Sequence, residues 1–199
     1  MVPRGCAVLY VPFRNQHLIA TTIPTSGGFE AEEARKAKEP QDYFSRLFGR
    51  VSTTDVTNFC CVPVALQFRS EVCRGEASIR EYCEDLARRG GERMAEILGT
   101  EVLGSPSSSF RRCCMVNVRL PLTPSDVDID GSGGGGAKVA TWVEELCARE
   151  FDTFITTKFY AGAFWCRLSA QIYLTLEDFE WAATTLMRIC ERAKAGECK

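Results

Sequence analysis

Arg167 is the side chain whose setting most suggests binding chemistry. It lies in Phe164-Trp-Cys-Arg-Leu-Ser-Ala-Gln-Ile-Tyr-Leu-Thr-Leu-Glu-Asp178, which reads as a strand, a short turn and a helix start. In an extended chain alternate side chains point to opposite faces. Phe164, Cys166 and Leu168 then share an apolar face, and Trp165, Arg167 and Ser169 share the other. Thr175 is placed to cap the next helix, with Asp178 three residues on as its capping-box partner. Such a unit holds one guanidinium rigidly at the edge of a sheet. The parallel N–H donors of Arg match the two oxygens of a carboxylate. The ligand could equally be a local acid of the same chain.

A second candidate is the hydroxyl-rich run Val51-Ser-Thr-Thr-Asp-Val-Thr-Asn-Phe59. A short hydroxyl beside backbone N–H groups can bind phosphate. Capping of the next helix by Thr53, Thr54 or Thr57 is an equal alternative. Metal chemistry has little support. The 11 cysteines include no C-x-x-C, and Cys60-Cys61 and Cys113-Cys114 are adjacent pairs, a poor geometry for zinc. Most cysteines stand in apolar segments and read as reduced core residues. Asp126-Val-Asp-Ile-Asp-Gly131 opens like a calcium loop, but its twelfth position is Ala137 rather than the bidentate Glu. The run Gly133–Gly136 lacks the G-K-[ST] of a phosphate loop, and residues 121–137 read as a flexible surface loop.

Arg-Leu-Ser at 167–169, Ile172-Tyr173 and Thr-x-Glu-Asp-Phe at 175–179 together resemble the C-terminal signature of class V aminotransferases. These are pyridoxal-phosphate enzymes of fold type I, and the likeness leans towards the isopenicillin N epimerase-like or C–S lyase-like branch. The resemblance implies that Arg167 binds the carboxylate of an amino acid substrate. It implies that Thr53 reaches the cofactor phosphate of a partner subunit, in an element where Asp55 matches the family Asp and Ser52 replaces a usual Gly. Val-Pro-Arg-Gly-Cys-Ala-Val at 2–8, Arg-Asn-Gln-His-Leu-Ile at 14–19 and Pro-Thr-Ser at 24–26 resemble the segment just after the Schiff-base lysine in that branch. That lysine normally comes directly after a His. His17 is the sole histidine, no His-Lys pair occurs, and the expectation is a C-terminal portion without the lysine, inactive alone. Two further readings stay open. One is a non-catalytic module that pairs with a full-length relative. The other is part of an active enzyme whose lysine lies upstream.

Around these residues the elements are ordinary. The chain has 199 residues, 45% hydrophobic and 25% charged, enough for one good domain. A net charge of −2 gives no broad attraction to nucleic acid. No apolar run nears the ~20 residues of a membrane helix, and no N-x-S/T sequon or signal pattern is present, so a cytoplasmic protein is the expectation. Residues 5–12 read as a buried apolar strand. Residues 31–42 read as a loop or short exposed helix, and Tyr43–Phe48 as an amphipathic turn. Periodicity predicts helices over 58–72, 79–98, 138–151 and 176–193, with Pro63 either opening or kinking the first. Ser78 and Glu81 suggest a capping box for the second, and Gly99 its stop. Gly90-Gly91 costs about 1 kcal/mol per residue there unless close packing needs the missing side chains. Strands are expected at 113–120, 153–160 and 164–169, the last two paired across residues 161–163. The whole is a two-layer α+β domain over 51–199, matching the small C-terminal domain the resemblance implies. Residues 1–50 would be a remnant of the large cofactor-binding domain and a connector.

Overall fold

The computed structural model describes residues 6–19, 31–36, 40–49, 55–105, 111–129 and 133–198. The chain forms two compact units, Met1–Val72 and Cys73–Lys199. The helix beginning just past residue 55 thus belongs with the first unit, although the sequence pattern groups it with the second.

The first unit carries four helices among its described residues: α1 Phe13–Gln16, α2 Glu32–Lys36, α3 Pro40–Gly49 and α4 Thr57–Glu71. Tyr43 and Leu47, one helical turn apart on α3, are buried. The expected strand at 5–12 is not formed: residues 6–12 have no strand partner among the described residues, and Val8, Leu9 and Tyr10 are exposed. An apolar run becomes a strand only where a neighbour takes its backbone hydrogen bonds. Pro63 lies inside α4, and Ala65 is the buried residue of that helix.

The second unit is a three-stranded antiparallel sheet with helices on one face. Its helices are α5 Gly75–Leu98, α6 Gly133–Phe151 and α7 Leu176–Lys194. Its strands are β1 Met115–Arg119, β2 Thr156–Tyr160 and β3 Ala163–Ser169, in the order β1-β3-β2. This is the mixed α+β arrangement that the sequence pattern indicates. β2 and β3 join through Ala161-Gly162, both with positive φ (50° and 75°). That left-handed pair matches the twist of the flanking strands. The inward residues Val116, Val118, Phe164 and Cys166 pack against Met94, Val143, Phe179 and Leu186 of the helices.

Two expectations are corrected here. α5 begins at Gly75, four residues before the predicted start, with Arg74 in the left-handed region (φ 62°). Ser78 is already inside the helix, where its hydroxyl donates back to the Arg74 carbonyl, so no Ser78–Glu81 box forms. And where the sequence suggests a flexible loop over 121–137, Pro124–Val127 forms a 3-10 turn closed by a Thr123–Asp126 capping box. Gly133–Gly136 then makes the first turn of α6. Gly136 lies against the Phe159 ring, where a Cβ would not fit.

The glycine pair of α5 has a packing reason. A Cβ on Gly90 would overlap the Phe179 ring, and one on Gly91 would overlap Val116. The missing side chains let α5 lie flat on β1 and α7 together. Gly99, with φ 64°, ends the helix and returns its N–H to the Glu96 carbonyl. On the outer edge of the sheet, the Thr157 N–H of β2 donates to Glu144 of α6 at 2.8 Å.

Candidate functional site

Strand alternation sets the site. Phe164 and Cys166 face the core with no exposure, while Arg167 on β3 is exposed on the sheet's open face. Burial pushes the Cys166 thiol up to about 12, so directly behind the guanidinium the strand presents a neutral group. Arg167 stands across from Asn117 of β1 on one side and Thr156 of β2 on the other. Directly opposite residues point to the same face, so the cation has polar, uncharged neighbours. Trp165 is held at the far end of the same face, its indole N–H donating to the Tyr160 carbonyl at 3.1 Å.

The other cations of that face are paired. Arg119 meets Glu101 at 3.1 Å, and Lys158 lies 3.5 Å from Glu144. Among the described residues no acid pairs with Arg167. The local-acid alternative finds no partner among them.

At the end of β3 the chain turns into α7, and a cleft of about 430 Å³ opens there. Arg167, Leu168 and Ser169 line it from β3, Phe154 and Thr156 from the entry to β2, and Asp178 and Trp181 from α7. This size is that of a small-molecule site. Asp178 is already engaged: its carboxylate accepts the Thr175 N–H at 2.7 Å and the Thr175 hydroxyl at 3.2 Å. The capping box predicted for Thr175 thus fixes the helix start. A further tie comes from Tyr82 of α5, whose hydroxyl donates to the Leu174 carbonyl at 2.6 Å. The rim of the cleft is braced on both sides of the turn.

The arrangement can take a carboxylate. A guanidinium with no acid partner among the described residues, beside Thr and Ser hydroxyls, offers several donors. Thr53 lies outside the described residues. Asp55, two residues on, is held below the usual carboxylate range by the Thr57 hydroxyl and then by the Thr57 N–H, which it accepts at 2.9 Å at the start of α4. Sequence reasoning did not single out Phe154 and Trp181. Both are large aromatics left exposed, 67% and 49%, while lining the cleft. The available signal was Trp181 itself, two residues from Phe179 and so off the buried stripe of α7.

Among the described residues no group of three metal-ligating side chains occurs, and no helix is long and apolar enough to cross a membrane. No protein-family model matches the chain. Two L-cysteine desulfhydrase-like proteins of Epichloe uncinata are 39% and 38% identical to it, over 96% and 98% of this chain but 47% and 48% of their own lengths. A hercynylcysteine sulfoxide lyase of Schizosaccharomyces pombe is 30% identical over 94% of this chain and 43% of its own. The chain spans about half the length of the curated relatives it matches. Over nearly its whole extent, then, this polypeptide is a homologue of part of desulfhydrase-like and sulfoxide lyase proteins.

Proposed function

We propose that the chain is the C-terminal portion of a pyridoxal-phosphate-dependent C–S lyase-like protein of class V aminotransferase type, and that Arg167 grips the carboxylate of its amino acid substrate. The observation that carries this is the exposed guanidinium on a braced strand end beside a cleft, with no acid partner among the described residues. The desulfhydrase-like and lyase relatives support C–S cleavage over transamination or epimerisation. On this reading residues 51–199, which include the second unit, are the small domain of fold type I, residues 1–50 belong to the large domain and connector, and the protein works in the cytoplasm.

Pyridoxal phosphate, when bound, supplies the electron sink for breaking a bond near the amino acid's α-carbon. The described residues do not form a cradle for it: no lysine lines the cleft. Thr53, the proposed phosphate contact across a dimer interface, is outside the described residues. The chain's own contribution is therefore positional. A bidentate clamp on the carboxylate fixes the substrate's orientation about its α-carbon, so that the bond to be broken is aligned. The hydroxyls of Thr156 and Ser169 add donors on either side of the clamp.

Binding tests this directly. An S-alkyl cysteine and its methyl ester are titrated calorimetrically into the chain. The acid binds, the ester binds at least about tenfold more weakly, and Arg167→Gln removes the difference. Equal binding of acid and ester overturns the assignment. The chain with added cofactor releases no pyruvate from L-cysteine; release would show that one of its own lysines can serve in place of the family lysine.

A second reading, a non-catalytic module that pairs with a full-length relative, draws on one observation. α4 exposes Phe59, Val64 and Leu66, apolar surface suited to another polypeptide.

A further inference from the structure

The lining of the cleft beside Arg167 is of two chemical kinds. The guanidinium, Thr156 and Ser169 are polar; Phe154, Trp181 and Leu174 are apolar. Large aromatics left in water are unfavourable, and in a concave site they are the usual apolar lining around a few polar anchors. Phe154 comes soon after Asp152, whose backbone is left-handed at φ 49°. The segment leaves α6 by a sharp turn whose Thr153 N–H returns to the Cys147 carbonyl at 3.2 Å, so Phe154 is presented by a fixed turn. Trp181 is presented by the second turn of α7, whose start the Thr175–Asp178 box fixes. The aromatic side chains therefore stand on segments as firmly placed as the strand that carries Arg167.

We propose that Phe154 and Trp181 determine substrate choice at this cleft, selecting carboxylates that carry a bulky apolar or aromatic body over short aliphatic ones. The proposal rests on the reading that Arg167 takes the carboxylate. A single cation would hold any small acid about equally. The apolar wall adds a contribution that grows with the area of ligand covered, and a phenyl ring gains far more from it than a methyl group. Asp178 lines the same cleft, with one carboxylate oxygen tied to the helix start through Thr175.

The test is calorimetric titration of the full chain with hydrocinnamate, butyrate and hydrocinnamyl alcohol. Hydrocinnamate binds at least about tenfold tighter than butyrate. Phe154→Ala and Trp181→Ala each narrow that gap, weakening hydrocinnamate far more than butyrate. Both residues are exposed, so neither change disturbs the core, and far-ultraviolet circular dichroism checks this for each. Arg167→Gln weakens both acids and leaves the alcohol unaffected. If the two acids bind equally and both still depend on Arg167, the aromatic selection is overturned while the carboxylate clamp stands. If hydrocinnamate and its alcohol bind equally and Arg167→Gln changes neither, the clamp fails and the proposal fails with it.

Discussion

Helices α4 and α7 are both rich in large apolar residues, and they meet water in opposite ways. α7 buries Phe179, Ala183, Leu186, Ile189 and Cys190, positions three or four residues apart that form one stripe. α4 places Phe59, Val64, Leu66 and Phe68 around its circumference, and all four are exposed. Composition alone would rank the two alike. Spacing separates them: a stripe can be satisfied by one neighbouring layer, while a helix apolar all round needs cover on every side. The second unit supplies its own cover, and its elements are explained by their own residues. The described residues of the first do not supply theirs.

The largest effect separating the two helices comes from emptying the α7 stripe. Phe179→Ala is expected to destabilise the second unit by about 3–5 kcal/mol, read as a shift in the urea midpoint. An unchanged midpoint would put α7 on a par with α4. Next is Gly90→Ala, which drives a methyl into the same ring. Overpacking costs about 1–3 kcal/mol and exceeds the ~1 kcal/mol of helix propensity that Ala brings. Phe179→Leu in the same chain recovers part of the loss if the clash is the cause. A stabilised Gly90→Ala protein would mean that α5 and α7 are not in close contact.

Alkaline pH sharpens the contrast through the thiols. Burial raises Cys166 and Cys190 from 9.0 to about 12, and Cys147 to about 11. The unfolded chain releases these protons first, so their contribution is full below pH 9 and is lost as pH rises through 9 towards the folded values. The loss is at most about 1.4 kcal/mol per pH unit for each thiol. At pH 8 alkylation should label exposed Cys60 of α4 while sparing Cys166 and Cys190 until the protein is denatured. Rapid native labelling of Cys166 would contradict the core described for the second unit. The smallest effect belongs to α4: Val64→Thr with Leu66→Gln should change stability by no more than about 0.5 kcal/mol. A large loss in the urea midpoint would show that this surface is covered in solution.

The legible parts of the fold were those whose cause is local. Alternation from Phe164 to Ser169 put Arg167 on the open face, and Thr175-x-x-Asp178 marked a real helix start. The glycine pair in α5 was legible as an exception, but not its partners, because Phe179 and Val116 are far away in sequence. The α5 start was missed because Arg74 takes a left-handed conformation that its residue type does not announce. Gly133–Gly136 looked like a loop because propensity counts glycine against a helix, and contact with Phe159 outweighs that. The aromatic half of the cleft was illegible for the same reason. Phe154 and Trp181 come together with Arg167 only once β2, β3 and α7 are packed.

Glu144 bears on the company this protein keeps. β2 is an outer strand, and its rim is where a strand from another molecule would attach. The Glu144 carboxylate already occupies the Thr157 donor, and the charged Lys158 stands alongside. An intruding backbone would have to evict an anion and accept a stray ammonium in return. Among the described residues the sheet is three strands wide, and on that flank one of its backbone donors is already taken.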